Sequence, residues 1–219
     1  MTVMTVVVYG ARGKAGSEIA KELLRRGHEV VAVARTPGGT PDGASGAIDD
    51  ASDPAKIAEV VKGADAVVSA VMPPHDDADE LIAVTDRIVE GIRRAGGKQD
   101  GPRLLVVGGA ASLFIPAPNG GRVTLLDSGH LPAEWVAIAT AHKTVLEKLR
   151  ANAEIEWTYF SPAAFFEVGP RTGKFRLGSD DLIVGANEKS DISYADYAIA
   201  AVDELESPQH RGERFTAGY

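Results

Sequence analysis

Short runs of Val, Ile and Ala recur along the chain between longer segments in which apolar residues return every three or four positions. That alternation predicts βαβ units around a parallel sheet. The strand-like runs are Val3 to Tyr9, Val30 to Ala34, Ala66 to Val71, Leu104 to Val107 and Trp157 to Phe160, with a shorter one near Ala47 and Ile48 and a closing one at Arg214 to Gly218. Helical spacing is clearest in Lys14 to Arg26, where Ile19, Leu23 and Leu24 share a face and Gly27 provides the stop. Asp53 followed by Pro54 opens a second helix to Lys62. Asp76 to Ala95 reads as a third and Pro132 to Asn152 as a fourth, with Trp135, Ile138, Ala139, Val145, Leu146 and Leu149 expected to face inward. A Ser193-x-x-Asp196 start, close to a capping box, opens the last helix, which runs to Glu206.

Two stretches break the rhythm. Leu113 to Leu131 is rich in Gly and Pro, and Phe165 to Lys189 reads as a loop with a small hairpin. Both follow strands, where open α/β sheets place their ligands, so both are expected on the substrate side. The expected fold class is α/β: one Rossmann-like, doubly wound parallel sheet with helices on both faces and a small C-terminal substrate-side extension, a single domain over residues 1–219.

Composition narrows the chemistry. The 219 residues are 44% hydrophobic and 25% charged, and 23 Lys and Arg stand against 31 Asp and Glu for a net charge of -8. That balance disfavours nucleic acid as a partner, because phosphate backbones are held mainly by Lys and Arg. The absence of cysteine excludes disulfides, thiolate nucleophiles and thiolate metal sites. His28, His75, His130 and His210 are scattered without metal-ligand spacing, and the acidic run Asp76 to Glu80 suits a helix start, so no metal site is expected. The first ten residues carry no basic segment and the apolar runs fall short of the roughly 20 residues that cross a bilayer. The expectation is a cytoplasmic protein, monomeric or homodimeric, without a membrane partner.

Between the first strand and the first helix stands Gly10-Ala11-Arg12-Gly13-Lys14-Ala15-Gly16. In a dinucleotide site, Gly10 permits the tight turn, Gly13 lets main chain approach a pyrophosphate without a Cβ, and Gly16 lets the helix pack against the strand. The helix then offers free N–H groups and its positive dipole end. The alternative is a glycine-rich turn that holds nothing. An acid at the end of the second strand would bind a ribose 2′-OH, but Val33-Ala34-Arg35 ends it here, and no acid occurs between Val30 and Thr40. Arg35, with Arg12 in the loop, suits a 2′-phosphate, so NADP(H) is favoured over NAD(H); the other reading makes both solvated surface arginines.

At this point the residues resemble the atypical short-chain dehydrogenase/reductases, specifically the NAD(P)H-binding, NmrA-like branch that includes NADH-flavin reductase-like proteins and biliverdin reductase B. The resemblance spans nearly the whole chain. It rests on Gly10 to Gly16, Asp50-Ala51-Ser52-Asp53-Pro54, Val106 to Leu113, Trp157 to Phe166, Gly173 to Gly178, Ile192 to Tyr197 and Arg214-Phe215-Thr216. It implies that Asp50 meets the adenine, that Ser69, Ala70, Val71 and Gly108 line the cofactor cleft, and that Ser161, Pro162 and Phe165 hold the nicotinamide end. Asp50 reads equally as a turn-forming carboxylate before a helix. Phe165, Phe166 and Phe175 either stack on a planar substrate or pack.

Carbonyl-reducing relatives use Tyr-x-x-x-Lys on the helix after the fifth strand. Here Lys143 fits the lysine but Ala139 stands in the tyrosine position. Lys143 then either binds the nicotinamide ribose or is a solvated helix lysine, and Ser112 either holds carboxamide or substrate or merely forms its loop. His142 is the remaining proton-donor candidate, but helical neighbours point about 100° apart, and His142 is expected to be the exposed one. Without the phenol, hydride transfer to a small planar acceptor such as a flavin or quinone demands less of the protein than carbonyl reduction. The alternative is a non-catalytic NADP(H)-sensing regulator of NmrA-like type. A sugar-nucleotide epimerase or dehydratase is disfavoured by the same missing tyrosine and by a short carboxy-terminal region.

Overall fold

The computed structural model describes residues 2–219. In chain order its first half comprises β1 (Thr5–Tyr9), α1 (Lys14–Arg25), β2 (Glu29–Ala34), β3 (Ser45–Ile48), α2 (Pro54–Val61), β4 (Ala66–Ser69), a 3₁₀ turn (His75–Asp77), α3 (Asp79–Arg94), the short α4 (Gly97–Asp100) and β5 (Arg103–Val107). The second half comprises β6 (Phe114–Pro116), β7 (Arg122–Thr124), α5 (Ala133–Arg150), β8 (Trp157–Ser161), β9 (Phe165–Glu167), β10 (Arg176–Gly178), β11 (Asp191–Ser193), α6 (Tyr194–Glu206) and β12 (Glu213–Gly218).

The central sheet has eight strands in the order β10-β12-β8-β5-β4-β1-β2-β3, parallel throughout except for the edge strand β10. Alternate residues of β1 feed two cores. Val6 and Val8 join Ile19, Leu23, Val202 and Leu205 under α1 and α6, while Val7 and Tyr9 join Ile57, Ile88 and Val145 under α2, α3 and α5. Burial of both faces is why the strand reads as an unbroken apolar run rather than an alternation. Among the described residues no helix is long and apolar enough to cross a membrane.

Local signals explain several helix ends. The Asp53 carboxylate accepts the Ala55 N–H at 2.8 Å with Pro54 in the first turn of α2, and Gly27, at φ +83°, follows the end of α1. Ser193 caps α6 by accepting the Asp196 N–H at 3.0 Å. The Asp196 carboxylate does not complete a capping box; it accepts the N–H groups of Thr172 and Gly173, each at 2.8 Å, and ties the loop before β10 to α6.

Three expectations are corrected. The hairpin lies in the earlier stretch, where β6 and β7 pair antiparallel around Gly120 and Gly121, both at positive φ. In the later stretch β9 pairs in parallel with β11, Phe165 opposite Asp191, a non-local pairing that no turn residue announces. Trp135 is 45% exposed, because residues 133–137 of the first part of α5 lie open and burial begins only at Ile138.

Candidate functional site

From β1 the chain proceeds to β2 and β3 on one side and then crosses to β4 on the other, so the sheet switches direction between β1 and β4. A crevice at such a switch point, at the carboxyl ends of the strands, is where open α/β sheets bind ligands. The glycine loop fills this place. A Cβ on Gly10, at φ +78°, would lie 2.3 Å from the Ala70 carbonyl oxygen, and one on Gly16 would lie 2.3 Å from the Gly10 oxygen. Those two glycines let β1, β4 and α1 approach one another. Gly13 differs: its N–H closes the turn onto the Gly10 oxygen at 2.9 Å, its backbone is extended at φ -71°, and it is exposed. Gly13 is the N-cap of α1, no side chain caps that helix, and Lys14 beside it is exposed while Ala15 is half-buried. A helix N-terminus left open by its own chain is an anion-binding device.

Beside this loop a cavity of about 170 Å³ is lined by Ala11, Arg12, Ala34, Thr36, Gly39 and Ile48, among others. The Arg12 guanidinium donates to Thr36 Oγ1 at 3.0 Å and to the main-chain oxygens of Thr36 and Gly38, fastening the loop after β2 over the cavity. Arg35, at the end of β2, is exposed and makes no hydrogen bond or ion pair among the described residues. Of the paired acids after β3, Asp50 is exposed and accepts Ser52 N–H at 3.0 Å and Ser52 Oγ at 2.6 Å, an Asx turn that holds its carboxyl below the usual range. Sequence reasoning misses Asp49, the buried member. Its carboxylate accepts the Tyr9 phenol at 2.9 Å and the N–H of Ala51 at 3.1 Å, and Ala51 sits at φ +57°.

At the other end of the crevice, Ser69 is buried, Ala70 donates its N–H to the Tyr9 oxygen at 2.9 Å, Val71 is half-buried and Met72 is 57% exposed. After β5, a Cβ on Gly108 would lie 2.3 Å from the Tyr159 ring and one on Gly109 3.0 Å from the His142 ring. His142 is therefore interior, which corrects the expectation that it is exposed: its Nδ1 lies 3.2 Å from the Tyr159 hydroxyl, and burial pushes its pKa down to about 4. The ring fits inward because the glycine facing it has no side chain. Lys143 is half-exposed, with Nζ 3.8 Å from the Asp127 carboxylate. Ser112 is buried and its hydroxyl accepts from Arg214 at 2.9 Å; Arg214 also binds Asp180 at 2.8 Å through Nε. The three polar candidates Ser112, His142 and Lys143 thus share no hydrogen bonds with one another.

Ser161 is buried, and its hydroxyl has no hydrogen-bond partner among the described residues; Pro162 is buried beside it. Phe165 is 60% exposed, whereas Phe166 packs against Tyr194 and Tyr197, with ring centroids 4.2 and 4.6 Å away, and Phe175 is partly buried against the core. Ala139, in the position of the missing tyrosine, is buried. No group of His, Asp or Glu among the described residues is arranged to hold a metal.

Comparison with known proteins accords with this geometry. A family model described as NAD(P)H-binding matches residues 10–208. YwnB of Bacillus subtilis is 40% identical over 214 residues, 97% of each chain. Among solved structures, a Bacteroides thetaiotaomicron protein described as a "putative epimerase" is 43% identical with a TM-score of 0.88, covering 100% of this chain and 98% of that one. A Streptococcus pneumoniae protein described as a "putative NADH-flavin reductase" is 32% identical with a TM-score of 0.86, covering 98% of this chain and 99% of that one. The chain belongs to the NAD(P)H-binding family, as an atypical short-chain dehydrogenase/reductase of the NmrA-like branch.

Proposed function

We propose that this protein is an NADPH-dependent oxidoreductase that serves a planar acceptor of the flavin or quinone class. The observation that carries the reading is the uncapped start of α1 at Gly13, framed by two glycines whose Cβ atoms would strike main chain. Its first-turn N–H groups hold the diphosphate, and the exposed main chain at Gly13 lets it come close. Arg35 and Arg12 bind the 2′-phosphate: Arg35 has no partner among the described residues to give up, and Arg12 exchanges carbonyl oxygens for phosphate oxygens. Ile48 and the small residues beside it give the adenine an apolar wall, and exposed Asp50, two residues further on, meets the adenine beyond it.

When bound, the reduced nicotinamide supplies a hydride. The chain's own residues orient and shield. Lys143 reaches the nicotinamide ribose, since an ion pair as long and open as the one with Asp127 holds it weakly. Met72 and Phe165, both exposed apolar side chains, follow β4 and β8, the strands on either side of β5, and offer faces to a flat ring. Tyr159 and His142 are enclosed and Ala139 has no proton to give, which suits an acceptor that delocalises charge and takes its proton from water. The description of the Streptococcus pneumoniae relative supports the same reading. The internal engagement of Ser112 and His142 also favours a second reading, a non-catalytic sensor of NADP(H).

Steady-state oxidation of NADPH and NADH with FMN, FAD and quinones tests the proposal. Expected are turnover well above the uncatalysed rate and a preference for NADPH of about tenfold or more, equivalent to at least ~1.4 kcal/mol, that Arg35→Ala largely removes. Tight cofactor binding without turnover on any acceptor overturns the catalytic reading in favour of the sensor. Equal affinity for the two cofactors overturns the 2′-phosphate assignment.

A further inference from the structure

The Tyr159 phenol ties together two elements that border the crevice from different directions. Its hydroxyl donates to the main-chain oxygen of His142 in α5 at 3.1 Å and accepts the Gly109 N–H, after β5, at 3.1 Å. A phenol has one proton and two lone pairs. With the proton on the carbonyl and one lone pair on Gly109, the second lone pair accepts from the imidazole Nδ1 of His142, 3.2 Å away, an arrangement in which that nitrogen carries the ring hydrogen. All three capacities of the hydroxyl, itself fully enclosed, are filled, so its removal leaves the N–H of half-buried Gly109 and the buried imidazole without that partner.

The flanking glycines are shaped to this bracket. The Tyr159 ring occupies the space of a Gly108 side chain and the His142 ring that of a Gly109 side chain. Gly108 is thereby explained by packing from within the sheet. Beyond it, Gly109 and Ala110 are half-buried, one strand over from Ala70 and Val71, since β4 and β5 pair with Ser69 opposite Val106. On the other arm, the residue after His142 is Lys143.

We propose that Tyr159 is a positioning residue for the nicotinamide end of the cleft: by joining Gly109 to His142 it sets the main chain of Gly109 and Ala110 and the direction of Lys143 in one arrangement. It touches neither cofactor nor acceptor. The assignment rests on the reading of the crevice as a nicotinamide dinucleotide site, and it is tested by separating the two halves of that ligand.

In Tyr159→Phe the ring still fills its place and only the hydroxyl is lost. Loss of one buried hydrogen-bonding partner is expected to weaken NADPH binding about five- to tenfold while affinity for 2′,5′-ADP, which lacks the nicotinamide half, stays within about twofold. Hydrogen exchange at the Gly109 amide is expected to rise by about the same five- to tenfold factor. Gly109→Ala, whose Cβ would press on the His142 ring from the other side, is expected to give the same split between ligands and guards against a Tyr159→Phe protein that fails to fold. Equal weakening of both ligands, no weakening of either, or unchanged exchange at Gly109 overturns the bracket. Failure of the unmodified protein to bind either ligand overturns instead the cofactor reading beneath it, whatever the exchange at Gly109.

Discussion

Neighbouring residues of the same kind take opposite fates in this protein, and the partners decide which. Asp49 and Asp50 stand side by side; Asp49 turns in to the Tyr9 phenol and Asp50 turns out to Ser52. His142 and Lys143 are separated by one helical step, and the side chain missing at Gly109 draws the histidine inward. Helical spacing separates His142 from Lys143 but does not decide which is buried, because the answer lies in a residue remote along the chain. The burial of His142 has a pH signature. Its folded pKa of about 4 lies below the ordinary histidine value of about 6.5, so between those values the unfolded chain takes up a proton that the folded chain refuses. Stability contributed by the neutral ring is complete above pH ~6.5 and declines as pH falls toward ~4, by up to about 3 kcal/mol. Urea titrations from neutral pH downward should show this decline and should show it flattened in His142→Gln; an identical profile in that variant would mean another group is responsible.

At the level of elements, α1 and α6 are joined by a charged clamp that the pattern of apolar residues does not disclose. Glu22 is buried on α1, and while burial pushes its carboxyl up, hydrogen bonds from Arg171 and Arg26 outweigh this and hold it below the usual range. Arg26 binds Glu22 at 2.9 Å and reaches across to Asp203 at 2.7 Å and Glu206 at 2.6 Å near the end of α6. An ion pair of this enclosure costs most when one member is removed, because the other stays buried. Arg26→Ala is expected to destabilise the protein by about 1–3 kcal/mol, Arg25 and Arg171 still partly serving Glu22. Thermal unfolding checks this, and an unchanged midpoint would show that the clamp contributes nothing net. Helix positions themselves are legible from local caps such as Asp53-Pro54 and Gly27. The pairing of β9 with β11 is not, since its partner strand begins 26 positions later.

Across the whole molecule, the order of the sheet places the open end of α1 at the switch between β1 and β4, and this is the part of the site most fully written in the sequence. Glycines at 10, 13 and 16 between a buried strand and an amphipathic helix have one economical explanation, and the contacts divide their roles: Gly10 and Gly16 serve the fold, while Gly13 faces outward. The acceptor end is less legible because it is assembled from the ends of β4, β5 and β8 and the middle of α5, with polar groups whose bonds are made inside the protein. The proposed function requires that exposed main chain at Gly13 receive the diphosphate of a nicotinamide dinucleotide. Calorimetric titration of NADPH into the unmodified protein and into Gly13→Val tests it most directly, since Val suits the extended backbone there and its Cβ meets only the Gly10 oxygen within 3.2 Å. One-to-one binding is expected, falling by at least about tenfold in the variant, with the unfolding midpoint nearly unchanged. Equal affinity in the two proteins, or no binding in the unmodified one, would contradict it.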